Sequence, residues 1–171
     1  MLEIVCTWRS IRRYQPREIE PALVDQLKEA ALRAPTSRNL QPWRFAFVTD
    51  REKLFALSEA KASFAKPLAG AALGIVVCGD DTVSDCWIED CSIAATILQL
   101  TATSLGLGSC WIQMRGRSHA DGRPAEDHVR EIIGLEPNLR VECVLSVGYP
   151  AEEKEPVPEE QLPFDKLIDV S

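Results

Sequence analysis

Between Ile88 and Leu105 the chain is apolar or small nearly all the way round a helix: Cys91, Ile93, Ala94, Ala95, Ile97, Leu98, Leu100, Ala102 and Leu105, with Gly106 and Gly108 ending the run. A helix without a polar face has to be covered on every side. In a chain of 171 residues that helix is either the centre of the fold or the seam of a dimer. The residues alone allow both, and we favour the seam for part of its surface.

The segments on either side supply what would cover it. Pro21 stands at a first helical position, and Leu23, Leu27, Ala30, Ala31 and Ala34 follow at helical spacing until Pro35 stops the run. The polar loop 35–42 leads into a strand over Trp43 to Thr49. Asp50 is placed to cap a short helix carrying Leu54 and Leu57. Leu73 to Cys78 reads as a strand covered on both faces, Ser109 to Gln113 as another, and Val141 to Val147 as the last. Ala125 to Ile133 is a helix with Gly134 as its stop. The tail, 151–171, has five Glu and two Pro within residues 152–160 yet ends on Leu162, Phe164, Leu167 and Ile168, so it is expected to pack on something. No internal repeat divides the chain, and one domain over 1–171 is expected.

Charge and cysteine usage exclude several functions. Nineteen basic against 26 acidic residues leave a net charge of −7, which does not suit a general nucleic-acid binder. The longest nearly apolar stretch, Leu68 to Gly79, is well short of the roughly 20 residues of a membrane span. Glu3 stands where a secretory signal would be positive, so a cytoplasmic protein is expected, without nucleic-acid or membrane partners. Six cysteines form no CxxC, and the two histidines are His119 and His128, so no structural zinc site is expected. Cys86 and Cys91 are the one candidate redox pair, at a spacing that known dithiol motifs do not use.

Three short constellations could carry chemistry. Trp8-Arg9-Ser10-Ile11-Arg12-Arg13-Tyr14 sets three guanidinium groups beside a hydroxyl, a set suited to phosphate oxygens or, equally, to a solvated basic face. Thr36, Ser37, Arg38, Asn39 and Gln41 crowd a loop that is either a ligand edge or an ordinary helix-to-strand connection. Gly106-Leu107-Gly108-Ser109-Cys110-Trp111-Ile112-Gln113 permits close backbone approach, or is simply a helix end followed by a core strand.

In order and spacing, these three segments and Val147-Gly148-Tyr149-Pro150 resemble the FMN-dependent nitroreductase family over nearly the whole chain. The resemblance implies an α+β fold: a three-layer α/β/α sandwich with a mixed, mainly antiparallel sheet, built as an intertwined homodimer whose tail reaches onto the partner. It implies bound FMN at the dimer interface and NAD(P)H as co-substrate. Hydride would pass to the flavin and electrons then to a planar acceptor such as a nitroaromatic or quinone, in a ping-pong cycle.

Carried over, the resemblance assigns Arg9, Ser10 and Arg12 to the phosphate, ribityl chain and N1/O2 edge, where a cation stabilises the charge of the reduced ring. Pro35, Thr36, Ser37 and Asn39 would line the partner's flavin, with Gln41 supporting their loop. Trp111, Ile112 and Gln113 would run along the ring, with a backbone N–H near Gln113 aimed at N5. Lys66 is the candidate for the ring's polar edge.

Two departures stand out: Trp8 where a basic residue is usual, and Glu159-Glu160 where the tail usually supplies a cation. Lys154 is the basic residue nearest to that tail, with Arg13, Arg115 and Arg117 elsewhere, and Arg38, Arg115 and Arg117 are candidates for attracting NAD(P)H. The acidic tail keeps a flavin-storage module without turnover open; the runner-up among enzymes is a specialised branch of the same fold, such as reductive dehalogenation or flavin breakdown, which usually adds a lid for which 171 residues leave little room.

Overall fold

The computed structural model describes residues 1–170. Among the described residues six α-helices and four strands follow one another: α1 (Leu2–Thr7), α2 (Pro21–Leu32), β1 (Trp43–Val48), α3 (Arg51–Glu59), α4 (Pro67–Gly70), β2 (Leu73–Asp80), α5 (Trp87–Ser104), β3 (Gly108–Gln113), α6 (Ala125–Ile133) and β4 (Leu139–Gly148). The local signals act as expected. Pro21 opens α2, the Asp50 carboxylate accepts the Lys53 N–H at 2.9 Å, and Gly134 ends α6 in the left-handed conformation (φ 69°).

The strands form one sheet in the order β1-β2-β4-β3, each neighbouring pair antiparallel. Among the described residues the one parallel contact is an isolated bridge between Ser10 and Ser109. Side chains alternate across β2: Leu73, Ile75 and Val77 join α2 and α5 in one cluster, while Val76 and Cys78 join residues of α3, α4 and α6 in another. The molecule is thus a three-layer α/β/α sandwich. Its central strand β2 is buried along nearly its whole length, as an apolar run covered on both faces requires.

Opposite Val77 and Cys78 the β4 register skips Glu142. This bulge puts Val141 on the same side as Val144, with Cys143, Leu145 and Val147 on the other. A bulge bends its strand and re-aims a side chain, and Glu142 is the residue re-aimed.

The nearly apolar helix α5 is covered on one side only within the chain, its exposed side carrying Glu89, Ile93, Thr96 and Ser104. Cys91, Ala94, Ala95, Leu98 and Ala102 of α5 are buried against the sheet, whereas Ile93 is 42% exposed. The expectation that the whole helix surface is covered therefore does not hold for a single chain. Every described residue beyond Glu155 is exposed, Phe164, Leu167, Ile168 and Val170 among them, and the backbone bonds of this tail are local, so within the chain it does not pack on anything.

Candidate active site

The N-terminal arm, residues 8–15, lies beside the start of β3 and the end of β4. Ile11 N–H donates to Ser109 O at 2.9 Å, Gln15 N–H to Tyr149 O at 2.9 Å, and Ala151 N–H returns a bond to Arg13 O at 2.9 Å. Two glycines make room for it. A Cβ on Gly108 would meet Ile11 Cβ at 2.7 Å, and one on Gly148 would meet the Tyr14 ring at 3.0 Å. Tyr14 Oη in turn donates to Ile11 O at 2.6 Å or to Ser146 O at 3.0 Å, closing the arm onto the sheet.

This arm gathers cations. Arg9 Nε donates to Glu155 O at 2.7 Å, and Lys154 Nζ to Ser10 O at 2.6 Å. The first residues of the tail thus stay on the arginine segment and bring one lysine to it. Glu152 anchors the junction, accepting the backbone N–H of Arg12 at 2.6 Å and of Arg13 at 3.2 Å, with Arg13 Nε at 3.2 Å. The Arg12 N–H bond, above all, holds the Glu152 carboxyl below its usual pKa.

Next to the arm opens a cavity of about 560 Å³ with Arg12, Lys61 and Arg117 on its walls and Cys110, Trp111 and Gln113 along its floor. Lys61 Nζ donates to Gln113 O at 3.1 Å; burial, and then the nearby Arg117 charge, draw its ammonium below the ordinary lysine pKa. The floor is held from behind. Trp111 Nε1 donates to Gln113 Oε1 at 2.8 Å, and Gln113 Nε2 donates to the Glu142 carboxylate at 3.1 Å, so the β4 bulge orients the amide. β3 is an edge strand whose Ser109 and Gln113 carbonyls face away from β4, toward the arm and Lys61. In a strand the N–H of a residue points the same way as its C=O. The N–H groups of Trp111 and Gln113 therefore point to the cavity side, while the Ile112 side chain is buried on the opposite face of the sheet.

The other nominated residues lie elsewhere. Thr36 to Gln41 form a strained loop, with Arg38, Asn39 and Gln41 at φ of 52°, 54° and 50°. Gln41 N–H bonds Thr36 Oγ1 at 3.1 Å, and buried Asp90, in the first turn of α5, accepts the Ser37 N–H at 2.8 Å. Pro35 and this loop do not line the cavity within the chain. Lys66 pairs with Glu59, its side chain 76% exposed, outside the cavity. Among the arginines suggested for NAD(P)H, Arg117 lines the cavity, Arg38 pairs with Asp85, and Arg115 lies 3.8 Å from Glu142. Lys61 was not singled out from the sequence. It stands five residues before Lys66, with Phe64 at φ 62° in the turn between them.

Of the two cysteines named as a redox pair, Cys91 is buried and Cys86 half-buried, both as free thiols, and burial pushes the Cys91 thiol pKa up. No helix among the described residues is long and apolar enough to cross a membrane.

Comparison with known proteins agrees with this geometry. The family model described as "Nitroreductase family" matches residues 5–88 and 68–149. A relative from Archaeoglobus fulgidus, described as an NADH dehydrogenase/NAD(P)H nitroreductase, is 39% identical over 158 residues, covering 90% of this chain and 87% of its own. Among solved structures, an FMN-dependent nitroreductase from Clostridium difficile R20291 superposes with a TM-score of 0.97 at 40% identity, covering 100% of this chain and 99% of its own. The NADPH:FMN oxidoreductase of Vibrio harveyi, complexed with NAD+, has a TM-score of 0.76 at 26% identity, covering 92% and 72%. By sequence and by architecture alike, the chain belongs to the nitroreductase family.

Proposed function

We propose that the chain is an FMN-dependent oxidoreductase that takes electrons from NAD(P)H and passes them to a planar electron-poor acceptor, a nitroaromatic or quinone, in a ping-pong cycle. The observation that carries the reading is the cavity in which Arg12, Lys61 and Arg117 surround an aromatic and amide floor. That residue set fits a flavin: a flat apolar surface, outward N–H groups from an edge strand, and cations where the reduced ring would carry charge. FMN when bound supplies hydride acceptance and electron delivery. The protein supplies the rest.

Arg9, Ser10 and Lys154 would hold the phosphate, Lys154 taking the place of the cation that Glu159-Glu160 do not provide. Arg12 and Lys61 would face the N1/O2 edge, and the Gln113 N–H would donate toward N5. Trp111 and Gln113, locked to each other and to Glu142, keep that donor in place.

The same reading includes a homodimer. The strained loop Pro35, Thr36, Ser37 and Asn39 would complete the partner's site, because it does not reach its own cavity. The uncovered side of α5, with Ile93 on it, would form the seam. A groove of about 490 Å³ along the outer edge strand β1, lined by Leu32, Trp43, Phe45 and Phe47 with Lys28 and Arg44 at its rim, suits the partner's tail. That tail offers Phe164, Leu167 and Ile168 together with Glu159, Glu160 and Asp165.

Reconstitution with FMN followed by desalting tests the reading: about one flavin per chain is expected to remain on the protein. Loss of all flavin from the folded wild-type protein would contradict it. Retention of flavin that neither NADH nor NADPH reduces would favour the storage module instead.

A further inference from the structure

Both histidines of the chain meet one aspartate in the structure. His119 and Asp121 lie in the turn before α6, His128 lies on α6, and their ligating atoms fall within 4.8 Å of one another. Asp121 Oδ1 is 3.0 Å from His119 Nδ1 and 3.3 Å from His128 Nε2. Ligands bound at about 2.0–2.1 Å to a shared tetrahedral ion stand roughly 3.3 Å apart, so the triad is close to a ligating arrangement before any ion is added. The imidazoles are 26% and 14% exposed and Asp121 41%, which leaves an open side for water. His119 Nδ1 also lies 3.2 Å from the Asp121 backbone N–H, so the turn shares this nitrogen between a backbone donor and the Asp121 carboxylate 3.0 Å away, and an entering metal would take the lone pair from that backbone bond.

We propose that His119, Asp121 and His128 form a binding site for a divalent transition-metal ion of the zinc class, directly behind the Arg117 and Ser118 wall of the cavity. Two imidazoles and one carboxylate with an open fourth position are a zinc-type donor set, too nitrogen-rich for magnesium or calcium. The site is tied to that wall through backbone bonds. The Ala125 N–H donates to Arg117 O at 2.8 Å, and the Ala62 N–H to Ser118 O at 3.1 Å.

Arg123 competes with the ion. Its guanidinium contacts Asp121 Oδ2 at 3.0 Å and His128 Nδ1 at 3.2 Å. It also holds Glu131 at 2.8 Å, so it has a carboxylate to withdraw to when a metal enters. A merely structural cluster would need Arg123; a metal site works better without it.

The test is calorimetric titration of the chelator-treated, full-length protein with Zn2+, with Mg2+ as the control. One zinc per chain at about micromolar affinity is expected, with no heat from Mg2+. Asp121→Asn and His128→Ala should each weaken binding about tenfold or more, Arg123→Gln should tighten it, and Cys6→Ser should leave it unchanged. No zinc binding by the wild-type protein, equal binding by the Asp121→Asn variant, or weaker binding by Arg123→Gln would each overturn the proposal. Amide exchange measured with and without zinc keeps the test independent of flavin: protection over residues 117–125 should rise with the metal.

Discussion

Two lysines five residues apart have opposite environments, and that difference is testable one side chain at a time. Lys61 is half-buried with its ammonium on Gln113 O; Lys66 sits in water on Glu59. Lys61→Ala is expected to weaken FMN binding about tenfold, equivalent to about 1.4 kcal/mol, whereas Lys66→Ala should leave it unchanged in the same fluorescence titration. Glu152 gives a second prediction at this scale, through pH. Its carboxyl is held low in the folded arm by the Arg12 N–H bond, so its contribution is fully present above the ordinary carboxylate pKa and is lost as pH falls through its lower folded value. Amide protection of residues 9–13 should therefore hold at pH 6 and drop below about pH 4, and Glu152→Gln should lower it at pH 6 and flatten the change.

Among the elements, the contact between arm and sheet is the one most sensitive to a small change. Gly108→Ala would drive a methyl group into Ile11 at 2.7 Å, and overpacking of that kind costs about 1–3 kcal/mol. The urea midpoint is expected to fall with an unchanged slope, and FMN retention to fall with it, because the same arm carries Arg9 and Arg12. Most elements were legible because their ends carry residues with one local preference: Pro21 at a helix start, the Asp50 cap, Gly134 at a helix stop. The apolar run from Leu73 marked a strand covered twice. The β4 bulge was not legible, since Glu142 lies in an otherwise apolar strand and nothing local says that its partner strand skips it. Nor was the inward turn of Lys61 or the return of Lys154 to Ser10, because both depend on bonds to residues far along the chain. His119 and His128 looked isolated in the sequence for the same reason. Only the fold sets them against Asp121.

At the scale of the whole molecule, the chain by itself leaves several apolar surfaces uncovered. One side of α5, the apolar residues of the tail and the groove beside β1 are exposed together, and the loop 35–41 lies outside its own cavity. Light scattering should give a dimer for the full chain. Truncation after Glu155, which keeps Glu152 and Lys154 but removes the apolar tail, should shift it toward monomer and release flavin. The sequence pattern around α5 predicts cover on every side; in the chain alone Ile93 stays exposed beside Glu89, Thr96 and Ser104.

The central claim is that the cationic cavity holds a flavin which a nicotinamide reduces. The visible spectrum of the FMN-reconstituted, desalted protein, recorded anaerobically before and after NADH or NADPH and then after a quinone, tests it most directly. The account predicts bleaching of the bound flavin by at least one nucleotide and recovery of the oxidised spectrum on adding the acceptor. Bound flavin that stays oxidised with both nucleotides would contradict it.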